Sequence, residues 1–314
     1  MAFSWAIADL GVLMSEDEPV SLCYGDTAPG RTDTQPYTTI IALHGAGFNS
    51  NIWTPWIPYL PSEYRVIAVN RRGYAGSSSV HKSQNRMPSD TEAFGRHFLD
   101  KLAFIKFVVD LVRGSSESCE EPPKIVLLGW SKGCAYWIAL LATLSTSDSL
   151  PTSFGLPWST VEPYITVVRD HVRSVILFEP PEWIVGIPLN IPVSDGTLDT
   201  SSSILLEASV DDMTILAHDL RSWNGTDFKE REDVATKALC KVPSFLGMGI
   251  VYCTTGIGLE GSLWMIDRLD GQRNTTSRAI QGGNHFVMAT DPKEFNDAVI
   301  GCVQELAVKV DNFV

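Results

Sequence analysis

The strongest constraint on the fold sits near the middle of the chain. Lys124-Ile125-Val126-Leu127-Leu128 is an apolar run of strand length, it passes through Gly129-Trp130-Ser131-Lys132-Gly133, and Cys134–Leu141 starts a helix-forming run at once. A Gly-x-Ser-x-Gly pentapeptide between strand and helix is the context of a nucleophile elbow, in which a serine on a sharp turn projects its hydroxyl from the end of a sheet. Gly129 and Gly133 leave room for such a turn, and Ser131 has to accept strained dihedrals. The pentapeptide alone is weak. The buried strand before it and the apolar helix after it make it specific.

The rest of the chain supplies matching elements. Short strands are expected at Phe3–Met14 and Val20–Tyr24, and buried strands at Thr38–Leu43, Tyr64–Val69, Val172–Phe178, Gly249–Thr254 and Ser277–Ile280. Helical periodicity marks Asp90–Arg113, where Phe94, Phe98, Leu102 and Ile105 fall close to one face. Pro292 opens a closing helix through about Val308. Ser145–Val168, with Pro151, Pro157 and Pro163, reads as an insertion with room for a short helix. Buried strands alternating with helices imply an α/β architecture, a mostly parallel central sheet with helices on both faces.

Between the strands at Val172–Phe178 and Gly249–Thr254 the rhythm breaks. Residues 180–243 read as an inserted, mainly helical cap, with helices at Ile204–Asp219 and Lys229–Ala238, above the strand C-termini where such sheets bind ligands. Residues 1–179 and 244–314 then form the core domain. With 314 residues, 44% of them hydrophobic, the chain can fill a core of that size. A net charge of −13 argues against electrostatic binding to nucleic acid or an anionic membrane. No apolar run reaches membrane-spanning length, Asp9 interrupts the first apolar stretch, and the six cysteines lack metal-ligand spacing. A cytoplasmic setting with reduced thiols is expected, and the sequence leaves the oligomeric state open.

In order along the chain stand His44-Gly45, Asn70-x-Arg72-Gly73-x-x-Gly76-x-Ser77, Gly129-x-Ser131-x-Gly133, Asn284-His285-Phe286, and Asp291-Pro292. In these residues the chain resembles the α/β-hydrolase superfamily, from about Val20 to the C-terminus, with Ser145–Val168 and the cap outside the likeness. The resemblance implies a serine hydrolase of that fold, acting through an acyl-enzyme on an ester, lactone or thioester of a mostly apolar small molecule, with no cofactor and no metal. Ser131 is then the nucleophile and His285 its base. The backbone N–H groups of Ala46 and Lys132 become the oxyanion donors, with Gly47 as the alternative to Ala46.

The third catalytic group departs from the family's commoner pattern. That pattern carries an acid after the seventh strand, but Thr254–Leu259 holds no carboxylate. Glu260 lies close but late. Glu179, at the end of the sixth strand, resembles the arrangement of zearalenone-type lactonases and is the preferred acid. Trp130, Trp183, Trp223 and Gly47 are expected at the substrate, and the Lys132 side chain either snorkels or pairs with an acid, or meets a polar or anionic part of the substrate. His44 is expected to be structural, and His97 solvated. A C–C bond hydrolase, a biosynthetic cyclase and a slow-turnover ligand receptor remain alternatives on the same scaffold.

Overall fold

The structure, a computed structural model, describes residues 2–15, 18–31, 37–79, 89–114, 124–146, 149–187 and 228–311. Strands β1 (Ser4–Gly11), β2 (Val20–Asp26), β3 (Thr38–Leu43), β4 (Tyr64–Val69), β5 (Lys124–Trp130), β6 (Val172–Phe178), β7 (Gly247–Cys253) and β8 (Thr275–Ile280) form one eight-stranded sheet. Its order is β1-β2-β4-β3-β5-β6-β7-β8. β2 pairs antiparallel with both β1 and β4, and every other pairing is parallel.

The central strands are apolar on both faces because both faces are covered. Side chains alternate across a strand, so Ile125 and Leu127 of β5 enter one core while Val126, Leu128 and Trp130 enter the other. On β6, Val175 and Leu177 oppose Ile176 and Phe178 in the same way. Helices α1 (Asp90–Gly114), α2 (Gly133–Thr146), α4 (Trp158–His171), α5 (Phe228–Cys240) and α6 (Leu259–Leu269) pack on the first face, with the short α3 (Ser149–Ser153) beside α2. A 3-10 helix (Ser50–Tyr59), α7 (Val287–Thr290) and α8 (Pro292–Asp311) cover the second.

Two elements exceed what the sequence suggested. The stretch read as an insertion holds α4, which follows Pro157 and carries Pro163 inside it. Val161, Ile165 and Val168 recur there at helical spacing and are fully buried, so packing outweighs the proline penalty. The 3-10 helix contains Pro55 and Pro58 and is capped by the Asn49 side chain, which accepts from the Asn51 N–H at 2.9 Å. The expected cap is described at its two ends. Glu182–Ile184 forms a 3-10 turn, and α5 packs on α2 with Val234, Ala235, Ala238 and Leu239 buried in the core. Residues 188–227, with Ile204–Asp219 and Trp223, lie outside the described residues. Among the described residues no helix is long and apolar enough to cross a membrane.

Candidate active site

β5 ends at Trp130, and Ser131 then turns into the left-handed region at φ +52°. Its N–H bonds to the Phe178 carbonyl at 3.0 Å, which carries the pairing with β6 one residue past the strand. α2 departs at once over the end of β3. A Cβ at Gly133 would stand 2.5 Å from the Leu43 carbonyl oxygen, and one at Gly129 2.6 Å from Cδ1 of Trp137. The two glycines are therefore a steric requirement of the turn. Ser131 is left 7% exposed at the C-terminal edge of the sheet.

One strand over, the chain makes the same turn. Glu179 follows β6 at φ +51°, is fully buried, and gives its N–H to Val251 O at 3.0 Å. A buried carboxylate needs donors, and this one has three. Oε1 accepts the Cys253 N–H at 2.6 Å, while Oε2 accepts the Gly258 N–H at 3.1 Å and lies 3.2 Å from His285 Nδ1. The turn after β7, the family's usual place for an acid, instead folds around Glu179. A Cβ at Gly256 would collide with the carboxylate, and one at Gly258 would come 2.6 Å from the Glu179 carbonyl carbon. Glu260 is exposed in the first turn of α6. Of the two candidate acids, Glu179 is brought to His285 and Glu260 faces solvent.

The charge at Glu179 reaches its neighbours. Burial first, and this carboxylate second, push the Cys253 thiol well above its ordinary value. Burial does the same to Cys134. Both stay protonated at neutral pH, and a protonated thiol is a poor nucleophile. His285 is 7% exposed, and its backbone carbonyl accepts the indole N–H of Trp130 at 3.0 Å, with the two rings 5.1 Å apart.

The loop after β3 lies against the serine: a Cβ at Gly45 would be 3.0 Å from Ser131 Cβ. His44 is fully buried, donates from Nδ1 to Gly45 O at 2.9 Å and accepts the Arg71 N–H on Nε2 at 3.1 Å, which fixes a neutral ring with its proton on Nδ1. Gly47, at φ +77°, donates its N–H to Tyr74 Oη at 3.3 Å. The Ala46 N–H makes no such bond among the described residues.

Residues 40–298 match the sequence pattern of the alpha/beta hydrolase family. The chain belongs to that family. Over 97 residues it is 31% identical to a pimeloyl-(acyl-carrier protein) methyl ester esterase of Legionella pneumophila (strain Corby), a match that spans 31% of this chain and 29% of that esterase. In fold it is similar to 2-hydroxy-6-oxo-6-phenylhexa-2,4-dienoate hydrolase from Rhodococcus sp. strain RHA1, with a TM-score of 0.63 at 13% identity, covering 96% of this chain and 99% of that one. A bromoperoxidase from Bacillus anthracis is also similar, with a TM-score of 0.57 at 16% identity over 96% and 100% of the two chains.

Within this hydrolase the remaining expected residues are distributed unevenly. Trp130, expected at the substrate, is 1% exposed: it falls on the β5 face that enters the second core, and its indole holds the His285 loop instead. Lys132 is fully buried, its Nζ 5.9 Å from the ring centroid of Trp183, which is half-buried at the start of the expected cap. His97, expected in solvent, is buried 3.8 Å from Asp100, because that carboxylate is drawn inward by Arg72 through bonds of 3.0 and 2.6 Å. Sequence reasoning missed Arg71 altogether. Its buried guanidinium donates to Gly45 O at 2.8 Å.

Proposed function

We propose that this alpha/beta hydrolase cleaves a carboxylic ester, lactone or thioester of a mostly apolar small molecule through an acyl-enzyme on Ser131. The observation that carries the reading is the contact of His285 Nδ1 with the buried Glu179 carboxylate, one strand over from an elbow serine that shares Glu179's left-handed turn. In this reading Glu179 holds the proton on Nδ1 and stabilises the imidazolium, so that Nε2 is free to take the Ser131 hydroxyl proton. The alkoxide attacks the acyl carbon, and the developing negative oxygen is met by the N–H groups of Lys132 and Ala46. The same Nε2 then returns the proton to the leaving group. Water repeats the sequence to release the acid. The named activity of the partly matching esterase supports an ester as the substrate.

The leaving group has to sit beside His285, since that ring protonates it. Phe286, whose ring stands 5.5 Å from the imidazole, and Phe48, 5.3 Å from Phe286, are half-buried there and suit an apolar alcohol or thiol. Trp183, half-buried near the Lys132 side chain, opens the stretch that we assign to the cover of the other side, while its far end, α5, belongs to the core against α2. The test pairs a fluorophosphonate label with a panel of aryl esters, lactones and thioesters of graded length. The wild-type protein should label and turn over at least one class. Ser131→Ala should lose labelling and about 10³-fold or more in turnover. Retention of more than about a tenth of the wild-type rate would overturn the assignment, because losses of a triad nucleophile are far larger. Labelling without turnover of any panel member would instead favour C–C bond hydrolysis, cyclisation or a receptor role.

A further inference from the structure

The Gly45–Ala46 peptide is gripped from its carbonyl side. Gly45 O accepts two hydrogen bonds, one from His44 Nδ1 at 2.9 Å and one from Arg71 Nη2 at 2.8 Å. The same Nη2 donates to Tyr74 Oη at 3.3 Å, and that hydroxyl also accepts the Gly47 N–H at 3.3 Å. The guanidinium lies 4.7 Å from the Tyr74 ring centroid, and Arg71 is 1% exposed. Its backbone N–H, bonded to His44 Nε2, forces that ring into the tautomer that donates to Gly45. Arg71 therefore acts on this carbonyl twice, through its side chain and through His44.

A trans peptide is planar, and its C=O and N–H point in opposite directions. Fixing the Gly45 carbonyl thus fixes the direction of the Ala46 N–H. A buried cation on the carbonyl oxygen also draws charge from the amide nitrogen and strengthens its N–H as a donor. The neighbouring Arg72 has a different task, since its guanidinium is taken up by Asp100. We propose that Arg71, with Tyr74, is a positioning residue of the oxyanion site: it orients and polarises the Gly45–Ala46 peptide so that the Ala46 N–H meets the oxygen of the tetrahedral intermediate. The proposal rests on the acyl-transfer reading above.

The test compares two ketones of the same shape on the full-length protein. A trifluoromethyl ketone adds the serine and places an anionic oxygen at the donors, and its unfluorinated parent binds without doing so. Arg71→Met should lower kcat by about 10–100-fold with KM within about twofold, less than outright loss of an oxyanion donor. It should weaken the trifluoromethyl ketone by a similar factor and leave the parent ketone unchanged. Arg71→Lys, which keeps a cation near the carbonyl, should recover part of the loss. Tyr74→Phe removes one hydroxyl and should show the same selective pattern at smaller size, which keeps the test open if Arg71→Met fails to fold. Wild-type kcat and ketone selectivity in the folded variants, or equal weakening of both ketones, would overturn the proposal. If Ser131→Ala remains active, the acyl-transfer reading falls; if Ser131→Ala is dead while Arg71→Met behaves as wild type, this inference alone falls.

Discussion

Ser131 and Glu179 hold equivalent positions on neighbouring strands, at φ +52° and +51°, the two non-glycine residues in the left-handed region among those described. Non-glycine residues persist there only where their surroundings over-determine them, and such sites cluster at active centres. Ser131 was legible because its flanking glycines and its strand are local. Glu179 was legible by a longer route, from the missing carboxylate in Thr254–Leu259 and its own place after an apolar run. Arg71 was not legible: it fills the variable position of Asn70-x-Arg72-Gly73, and its partner is a carbonyl 26 residues away. Trp130 was misjudged for a related reason, since proximity to Ser131 in sequence says nothing of which face of β5 it enters. Replacing Glu179 by Gln should cut kcat by about 10²–10⁴-fold, because an amide cannot stabilise the imidazolium. Glu260→Gln, in solvent, should stay within about twofold of wild type. Steady-state kinetics on one ester decides between them, and the reverse order would transfer the acid's role to Glu260.

At the scale of elements, the sheet was readable because strands buried on both faces become nearly continuous apolar runs. The 3-10 helix at Ser50–Tyr59 and the length of α4 were hidden by their prolines, which act as breakers until tertiary packing overrides them. The turn from β7 to α6 could not be interpreted from its composition. Its glycines make room for a carboxylate from another strand, a partner that nothing local in the sequence marks. Gly256→Ala should therefore act on catalysis, by driving a methyl group into Glu179 and shifting it from His285. A fall in kcat of about 10-fold or more is expected if the pair needs hydrogen-bond geometry. Gly114→Ala, where a Cβ meets nothing within 4 Å, is the control. Equal activity in the two variants would show that the turn tolerates crowding and that Glu179 is not held by it.

For the whole molecule, stability toward acid has an identifiable contributor away from the site. His171, at the end of α4, is buried with Nε2 2.8 Å from an Arg113 nitrogen on α1. Burial first, and the Arg113 charge second, lower its pKa from 6.5. A histidine held neutral in the fold stabilises fully above its unfolded pKa, and that contribution is lost as the pH falls through the folded value. The melting temperature should thus decline as pH falls from about 7 to 5, and His171→Asn should decline less steeply, since histidine titrates in this window. Calorimetry across that range checks it; parallel curves would remove His171 from the account. The sheet also spreads the proposed machinery unequally. Ser131 and Glu179 hang from β5 and β6, where nearly every residue is buried, whereas His285 follows β8, one of the two edge strands, with most of its residues partly or fully exposed. Fraying begins where contacts are fewest. A brief peeling of that border would displace the His285 loop and leave Ser131 and Glu179 in place, so the proposed chemistry would fall silent well before global unfolding.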